Sequence, residues 1–333
     1  MKPVIVFTVL IFLLQAVFAQ QDNPGETAKA FIRQGDYTNA VLVLNRAIEN
    51  DRSNAELKKD LAFVFYLQRD YTKSVALIKP LSETSMADVQ TFQILGMNYK
   101  AIEERKEAEK MYKEALKKFP ENGALLNEYG EILWSRQELS GAVDQWKKGI
   151  QSDPNYSGNY YNAAKYYYLS ADKVWGLIYG ELFVNLESYS KRTAEIKNLL
   201  LEGYKKLFTE TDMLKNQDGR NDFVKAYITT MKNQSQVIGS GITPESLSAL
   251  RTRFILEWFG KNEPPIPFRL FEYQRQLAKS GLFDAYNQWI FGAADNLSAF
   301  QQWTVIHNEE YNKFNTFQKN RIFKVPEGQM YQK

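Results

Sequence analysis

The stretch FQILGMNYKAIEERKEAEKMYKEALKKFP, residues 92–120, sets small residues beside large ones at helical spacing. Gly96 stands three positions before Tyr99, and Ala108 four before Tyr112. Side chains three or four apart lie on one face of a helix. A small residue on that face lets a second helix come close, and a large neighbour fills the remaining gap. The same choices recur in steps of 34 residues in both directions. Ala28, Ala62, Gly96, Gly130 and Ala164 share one column, and Phe31, Phe65, Tyr99, Leu133 and Tyr167 another. Ala40, Ser74, Ala108, Ala142 and Gly176 form a second small column, followed by Leu44, Ile78, Tyr112 and Trp146.

An acidic column, Asp36, Asp70, Glu104, Glu138 and Asp172, falls between the two small ones. A carboxylate there can accept from the free N–H groups of a helix start and oppose its dipole. Each unit therefore reads as two antiparallel helices joined by a short turn. Pro120 and Pro154 end the third and fourth units, where Arg52 and Met86 stand in the first two. Pro80 falls inside a second helix, which should kink or end early. Gly176 and Gly180 predict a close helix crossing in the fifth unit. Asn23-Pro24-Gly25-Glu26 reads as a helix cap, a first-turn proline and an early carboxylate.

This pattern resembles the tetratricopeptide repeat, most closely in the third and fourth units, and the likeness runs over roughly residues 21–188. It implies an all-α fold: a tetratricopeptide-type α-solenoid of about five helix pairs over residues 20–188. Register is lost beyond, and residues 189–333 read as an all-α C-terminal domain. In that region Thr243 is a cap, Pro244 sits in the first turn, and Leu247, Leu250, Phe254 and Trp258 form one stripe. Ala285, Trp289 and Gly292 echo Ala142, Trp146 and Gly149, and Ala299 and Trp303 repeat the first two of them. Degenerate, repeat-like helix pairs are the expectation, serving as the cap that a repeat array needs.

At the N-terminus, Lys2 precedes an apolar run over residues 4–18, with Val17 and Ala19 before Gln20-Gln21. This is the pattern of a secretory signal peptide, residues 1–19, cleaved after Ala19. The run is shorter than the roughly 20 residues of a membrane span. A periplasmic or secreted chain follows, and the junction has a bacterial look. No cysteine is present, so disulfides, thiolate chemistry and a lipidated cysteine are excluded. The formal net charge is +3, without a concentrated basic block, and nucleic acid is not an expected partner.

Several catalytic patterns are present only in part. His307, the sole histidine, has Glu310 on its face, short of the three or four ligands of a metal site. Ser170 to Lys173 and Ser188 to Lys191 fit S-x-x-K without its companion motifs. Gly239-Ser240-Gly241 lacks the strand and G-K-[ST] of a phosphate loop. Glu187-Ser188 and Glu245-Ser246 are similar to the start of a lytic transglycosylase motif whose remainder is missing. Glu181, in an apolar helix, needs a buried partner, and Lys191 or Arg192 is the expected ion pair. No catalytic residue, metal or cofactor is assigned, and a non-enzymatic chain is the reading.

The resemblance implies a concave face built from the first helices, binding an extended peptide or a helix. By register its positions are Lys59, Phe63 and Tyr66, then Gln93, Met97 and Lys100. The fourth unit supplies Asn127, Glu131 and Trp134, and the fifth Tyr161, Lys165 and Tyr168. Aromatic side chains with few rotatable bonds make good anchors. Either a partner fills this face or the C-terminal domain does. Gly25, Lys29 and Asp60 do not reproduce the lysine–asparagine clamp of the chaperone-binding members. The expected function is an exported interaction scaffold or envelope assembly factor. The alternative is a carbohydrate- or peptidoglycan-binding protein, or a hydrolase of such material.

Overall fold

A computed structural model describes residues 23–210, 212–260 and 266–332. The signal-peptide assignment, residues 1–19, lies outside the described residues. The described residues contain helices, turns and extended segments and no strand. They fall into two compact units, one up to Ala115 and the other from Leu116 onward.

The first unit holds α1 (Pro24–Arg33), α2 (Tyr37–Asn50), α3 (Ala55–Leu67), α4 (Tyr71–Ser82), α5 (Val89–Ala101) and most of α6 (Arg105–Lys118). α1 starts where the sequence places it, with the Asn23 side chain accepting from Gly25 N. Asp36 and Asp70 cap α2 and α4 by accepting from Asn39 N and Lys73 N. α4 passes through Pro80 and stops at Ser82, two residues shorter than α2. Ala28, Ala40, Leu44, Leu61 and Val64, from α1, α2 and α3, belong to one buried core cluster of this unit. Ser74 replaces alanine in the second small column at no polar cost. Its hydroxyl donates to Ala62 O (2.7 Å) and accepts from Asn98 Nδ2 (2.8 Å). At Gly96, an added Cβ would lie 1.8 Å from the Tyr112 hydroxyl, so the glycine is the socket for that ring.

The second unit continues with α7 (Gly123–Ser135), α8 (Leu139–Ser152), α9 (Ser157–Leu169) and α10 (Lys173–Leu186). Gly130 is the socket for Trp146, whose Nε1 donates to Asn127 O (3.2 Å). Gly176 faces the α9 backbone, 3.2 Å from Tyr168 N to an added Cβ, and Gly180 faces Leu200 and Ile196. The close crossing read from these glycines is thus present. The acidic column fails at its last two places, where neither Glu138 nor Asp172 makes a capping bond. Gln217 takes the place of Asp172, accepting from Lys173 N (2.8 Å) and Val174 N (3.1 Å).

Beyond these lie α11 (Lys191–Thr209), α12 (Asp222–Asn233), a short 3₁₀ turn (Ser235–Ile238), α13 (Pro244–Trp258), α14 (Arg269–Lys279) and α15 (Phe283–Asn287). A π-turn, Gln288–Gly292, prolongs α15. Then come α16 (Leu297–Ile306) and α17 (Asn308–Asn320). The echo is half realised: Ala285, Trp289 and Gly292 are buried, as are Ala142, Trp146 and Gly149. However, the π-turn widens the backbone at Trp289, and Gly292 receives Phe300. α16 buries none of its residues, so Ala299 and Trp303 do not reproduce the packing.

The polypeptide after α17 runs extended back over the unit. Asn155 clamps it, donating to Val325 O (3.2 Å) and accepting from Val325 N (2.9 Å). Gln332 donates to the Tyr167 hydroxyl (2.6 Å) and accepts from that of Tyr179 (2.8 Å).

Candidate functional site

The first helices of the repeats carry the predicted positions. In the first unit, α3 presents Lys59, Phe63 and Tyr66 one helical turn apart. Lys59 is drawn inward, 2% exposed, because Asp88 (2.5 Å) and Glu56 (2.7 Å) hold its ammonium. Burial alone would lower its pKa, but the bonds to Asp88 and Glu56 win and raise it. It is therefore a structural cation. Phe63 and Tyr66 are half-buried and stacked, with centroids 6.3 Å apart, and Tyr66 leans on Tyr71. On α5, Gln93 and Met97 are half-buried and Lys100 is exposed.

In the second unit, α7 supplies Asn127, Glu131 and Trp134. Asn127 is buried and donates to Glu131 (3.1 Å), and Asn162 of α9 donates to both. Trp134 is half-buried against Trp146 (5.7 Å) and edge-on to Tyr166 (6.2 Å).

The α9 positions are used differently. The Tyr161 hydroxyl donates to Glu195 of α11 (2.5 Å), and Lys165 pairs with the same carboxylate (2.8 Å). The Arg192 guanidinium lies over the Tyr161 ring (4.8 Å) and the Lys206 ammonium over that of Tyr168 (4.0 Å). α11 thus packs on these side chains, and Tyr161, Lys165 and Tyr168 act as its seat. Sequence register placed these residues but could not show that a neighbouring helix takes them. Opposite charges on α9 and α11, Lys165 and Glu195, were the available signal.

Glu181 is the largest departure. Its partner is Arg251 of α13, neither Lys191 nor Arg192. The carboxylate also accepts from Gln274 Nε2 (2.6 Å) and the Tyr286 hydroxyl (2.9 Å). Arg251 donates on to Asn287, and its guanidinium sits among the rings of Phe283, Tyr286 and Phe291. Arg192 pairs instead with Glu187, which also accepts from Ser157 and Ser190. Burial would raise the Glu187 pKa, but these donors lower it. The network links α10, α13, α14 and α15, a structural task for a buried ion pair.

The reactive patterns are spent locally. The Ser170 hydroxyl donates to Tyr167 O (2.9 Å), and Lys173 donates to Tyr168 O (2.7 Å) and Ser170 O. Ser188 donates to Val184 O (3.0 Å), and Glu245 accepts from Gln288 (2.7 Å). His307 stacks on Trp303 (4.5 Å), 3.6 Å from Glu310. Among the described residues no three histidine or carboxylate side chains converge on a metal position. No described helix is long and apolar enough to cross a membrane.

Residues 26–79 and 95–159 match the family model for the tetratricopeptide repeat. Tetratricopeptide repeat protein 21B of Xenopus laevis is 28% identical over 170 residues, which is 51% of this chain and 12% of that protein. The match therefore spans about an eighth of that relative's length. A solved tetratricopeptide repeat protein of Thermus thermophilus is 15% identical, covering 54% of this chain and 98% of its own, with TM-score 0.46. Another, from Parabacteroides merdae, is 13% identical, covering 90% and 98%, with TM-score 0.39.

Proposed function

We propose that this chain, a tetratricopeptide repeat protein through residues 26–79 and 95–159, is an exported, non-enzymatic interaction scaffold of the cell envelope. The repeat fold supports protein–protein interaction. The observation that carries the reading is the set of half-buried aromatic rings on first helices: Phe63 and Tyr66 on α3, Trp134 on α7. Such rings offer a partner apolar area at little entropic cost. Because α11 takes the α9 positions, a peptide or protein partner is assigned within the first unit to the α3 and α5 positions, and within the second to the α7 positions, each taken by itself. Lys2, the apolar run after it and Ala19 support export.

Crosslinking in cells of the source organism, followed by identification of the attached proteins, supplies the partner. Wild type and the F63A/Y66A and W134A variants are compared. Loss of the same crosslinked protein, with unchanged circular dichroism, is the expected result. Unaltered crosslinking in both variants removes the assignment. For export, the mature chain should begin at Gln20 and fractionate outside the cytoplasm. A cytoplasmic chain retaining Lys2 contradicts it.

A further inference from the structure

The extended segment after α17 is held as a bound peptide is held. Among the described residues no backbone-to-backbone hydrogen bond joins residues 322–332 to a helix. Side chains of the helical framework hold the segment instead. Asn155 takes both backbone groups of Val325, and Asn221 donates to Tyr331 O (2.6 Å). An amide side chain that satisfies the N–H and C=O of one residue recognises extended backbone, whatever side chain that residue carries. Selection among side chains falls to four positions. Phe323 and Val325 are buried, and the Phe323 ring stands edge-on to Tyr273 (5.4 Å). Tyr331 stacks on Phe223 (5.2 Å), and Gln332 bridges the hydroxyls of Tyr167 and Tyr179. Around these anchors Ile322, Lys324, Pro326, Glu327 and Gly328 face solvent.

The seat is built by helix packing in which the segment takes no part. Tyr160 donates to Pro154 O (3.0 Å) and so fixes the turn that presents Asn155. Tyr179 of α10 packs against Tyr160 and Tyr167 of α9 (both 5.9 Å) and against Trp175 (5.6 Å). Phe223 of α12 stacks on Trp175 (5.6 Å) and on Phe271 of α14 (6.0 Å). A groove whose floor is fixed in this way exchanges one extended segment for another without refolding.

We propose that the groove lined by Asn155, Tyr167, Tyr179, Phe223 and Tyr273 is a peptide-binding site, separate from the α3, α5 and α7 positions, which residues 322–332 fill in the free protein. Its partner is a protein with an exposed extended segment of the same spacing. That segment carries two apolar residues two apart, then an aromatic residue and an amide residue six and seven positions after the second. The chain's own tail competes at an effective concentration of about 1 mM, set by its tether.

The test uses the full chain and the labelled peptide IFKVPEGQMYQ, residues 322–332, with a scrambled peptide as control. Fluorescence anisotropy should show weak binding to wild type. Binding to F323A/Q332A, whose own tail is weakened and whose groove is intact, should be at least tenfold tighter. Adding N155A/N221A to that chain should weaken binding at least tenfold. Asn155 is itself exposed, and circular dichroism verifies that the variants stay folded. A second readout leaves the tail anchors and the groove unaltered. The chain has no cysteine, so K324C carries a single nitroxide at an exposed tail position. Unlabelled peptide at about 5 mM, above the tether's concentration, should displace the tail and shift the spin-label spectrum to its mobile form. The scrambled peptide should not. Equal binding of the scrambled peptide, equal affinity of wild type and F323A/Q332A, no effect of N155A/N221A, or a nitroxide that keeps its spectrum overturns the proposal. A wild-type dimer that F323A/Q332A dissolves also overturns it, by giving the groove to a second copy of the chain.

Discussion

Replacing either partner of the Glu181–Arg251 pair should destabilise the protein, but with different pH dependence. Both side chains are almost wholly enclosed, 4% exposed for Glu181 and 1% for Arg251. In Glu181→Gln the guanidinium keeps its charge, because neutralising a group of pKa above 12 is prohibitive at neutral pH. An unpaired buried charge of this kind costs about 3–5 kcal/mol. In Arg251→Met the carboxylate can escape its penalty by taking up a proton. Relative to an unfolded carboxyl of pKa about 4.3, that costs at most about 3.7 kcal/mol at pH 7 and about 1 kcal/mol at pH 5. The native variant then holds a proton that its unfolded form lacks, so acidification restores stability. Urea denaturation of wild type and both variants at pH 5 and pH 7, followed by circular dichroism, measures this. Measured against wild type, Arg251→Met should recover about 2–3 kcal/mol between pH 7 and pH 5. Glu181→Gln should change little over that range. Equal pH behaviour of the two variants, or costs below about 1 kcal/mol for both, would refute the argument that burial governs this pair.

Further expectations can be measured in the same way. Gly130→Ala places a Cβ 2.2 Å from Trp146 Nε1 and should cost about 1–3 kcal/mol through overpacking, seen as a lower denaturation midpoint. Asp172 has its pKa pushed up to about 6 by burial, and one of its oxygens lacks a hydrogen-bond partner. Its folded pKa lies above the usual value. Stability from this group is therefore full below pH of about 4 and lost as pH rises through about 6. Asp172→Asn should stabilise the protein at pH 7 by about 1–3 kcal/mol and flatten the stability profile between those limits. Removing residues 321–333 deletes the Asn155, Tyr167 and Tyr179 contacts of the tail. Limited proteolysis should then cut α9 and α10 faster than in the full chain, and equal rates would show that the tail carries no stability.

The amino-acid sequence by itself determined the five helix pairs of the repeat region. Gly96 with Tyr112 and Gly130 with Trp146 are contacts between neighbours in the chain, and such contacts must repeat whenever the unit repeats. The caps at Asn23, Asp36 and Asp70 are equally local and were legible for the same reason. Register also placed the candidate positions on the first helices of the repeats. Tertiary structure decided everything that depends on partners far apart in the chain. Glu181 finds Arg251 rather than Arg192, which is much nearer in sequence, since the helix packing, not chain proximity, decides which cation is enclosed beside it. Gln217 displaces Asp172 as a helix cap, α11 seats itself on Tyr161, Lys165 and Tyr168, and Asn155 holds the returning tail. None of these pairings has a period or a motif. They arise when non-repeating helices, unable to stack by register, bury their apolar faces wherever charge and shape allow.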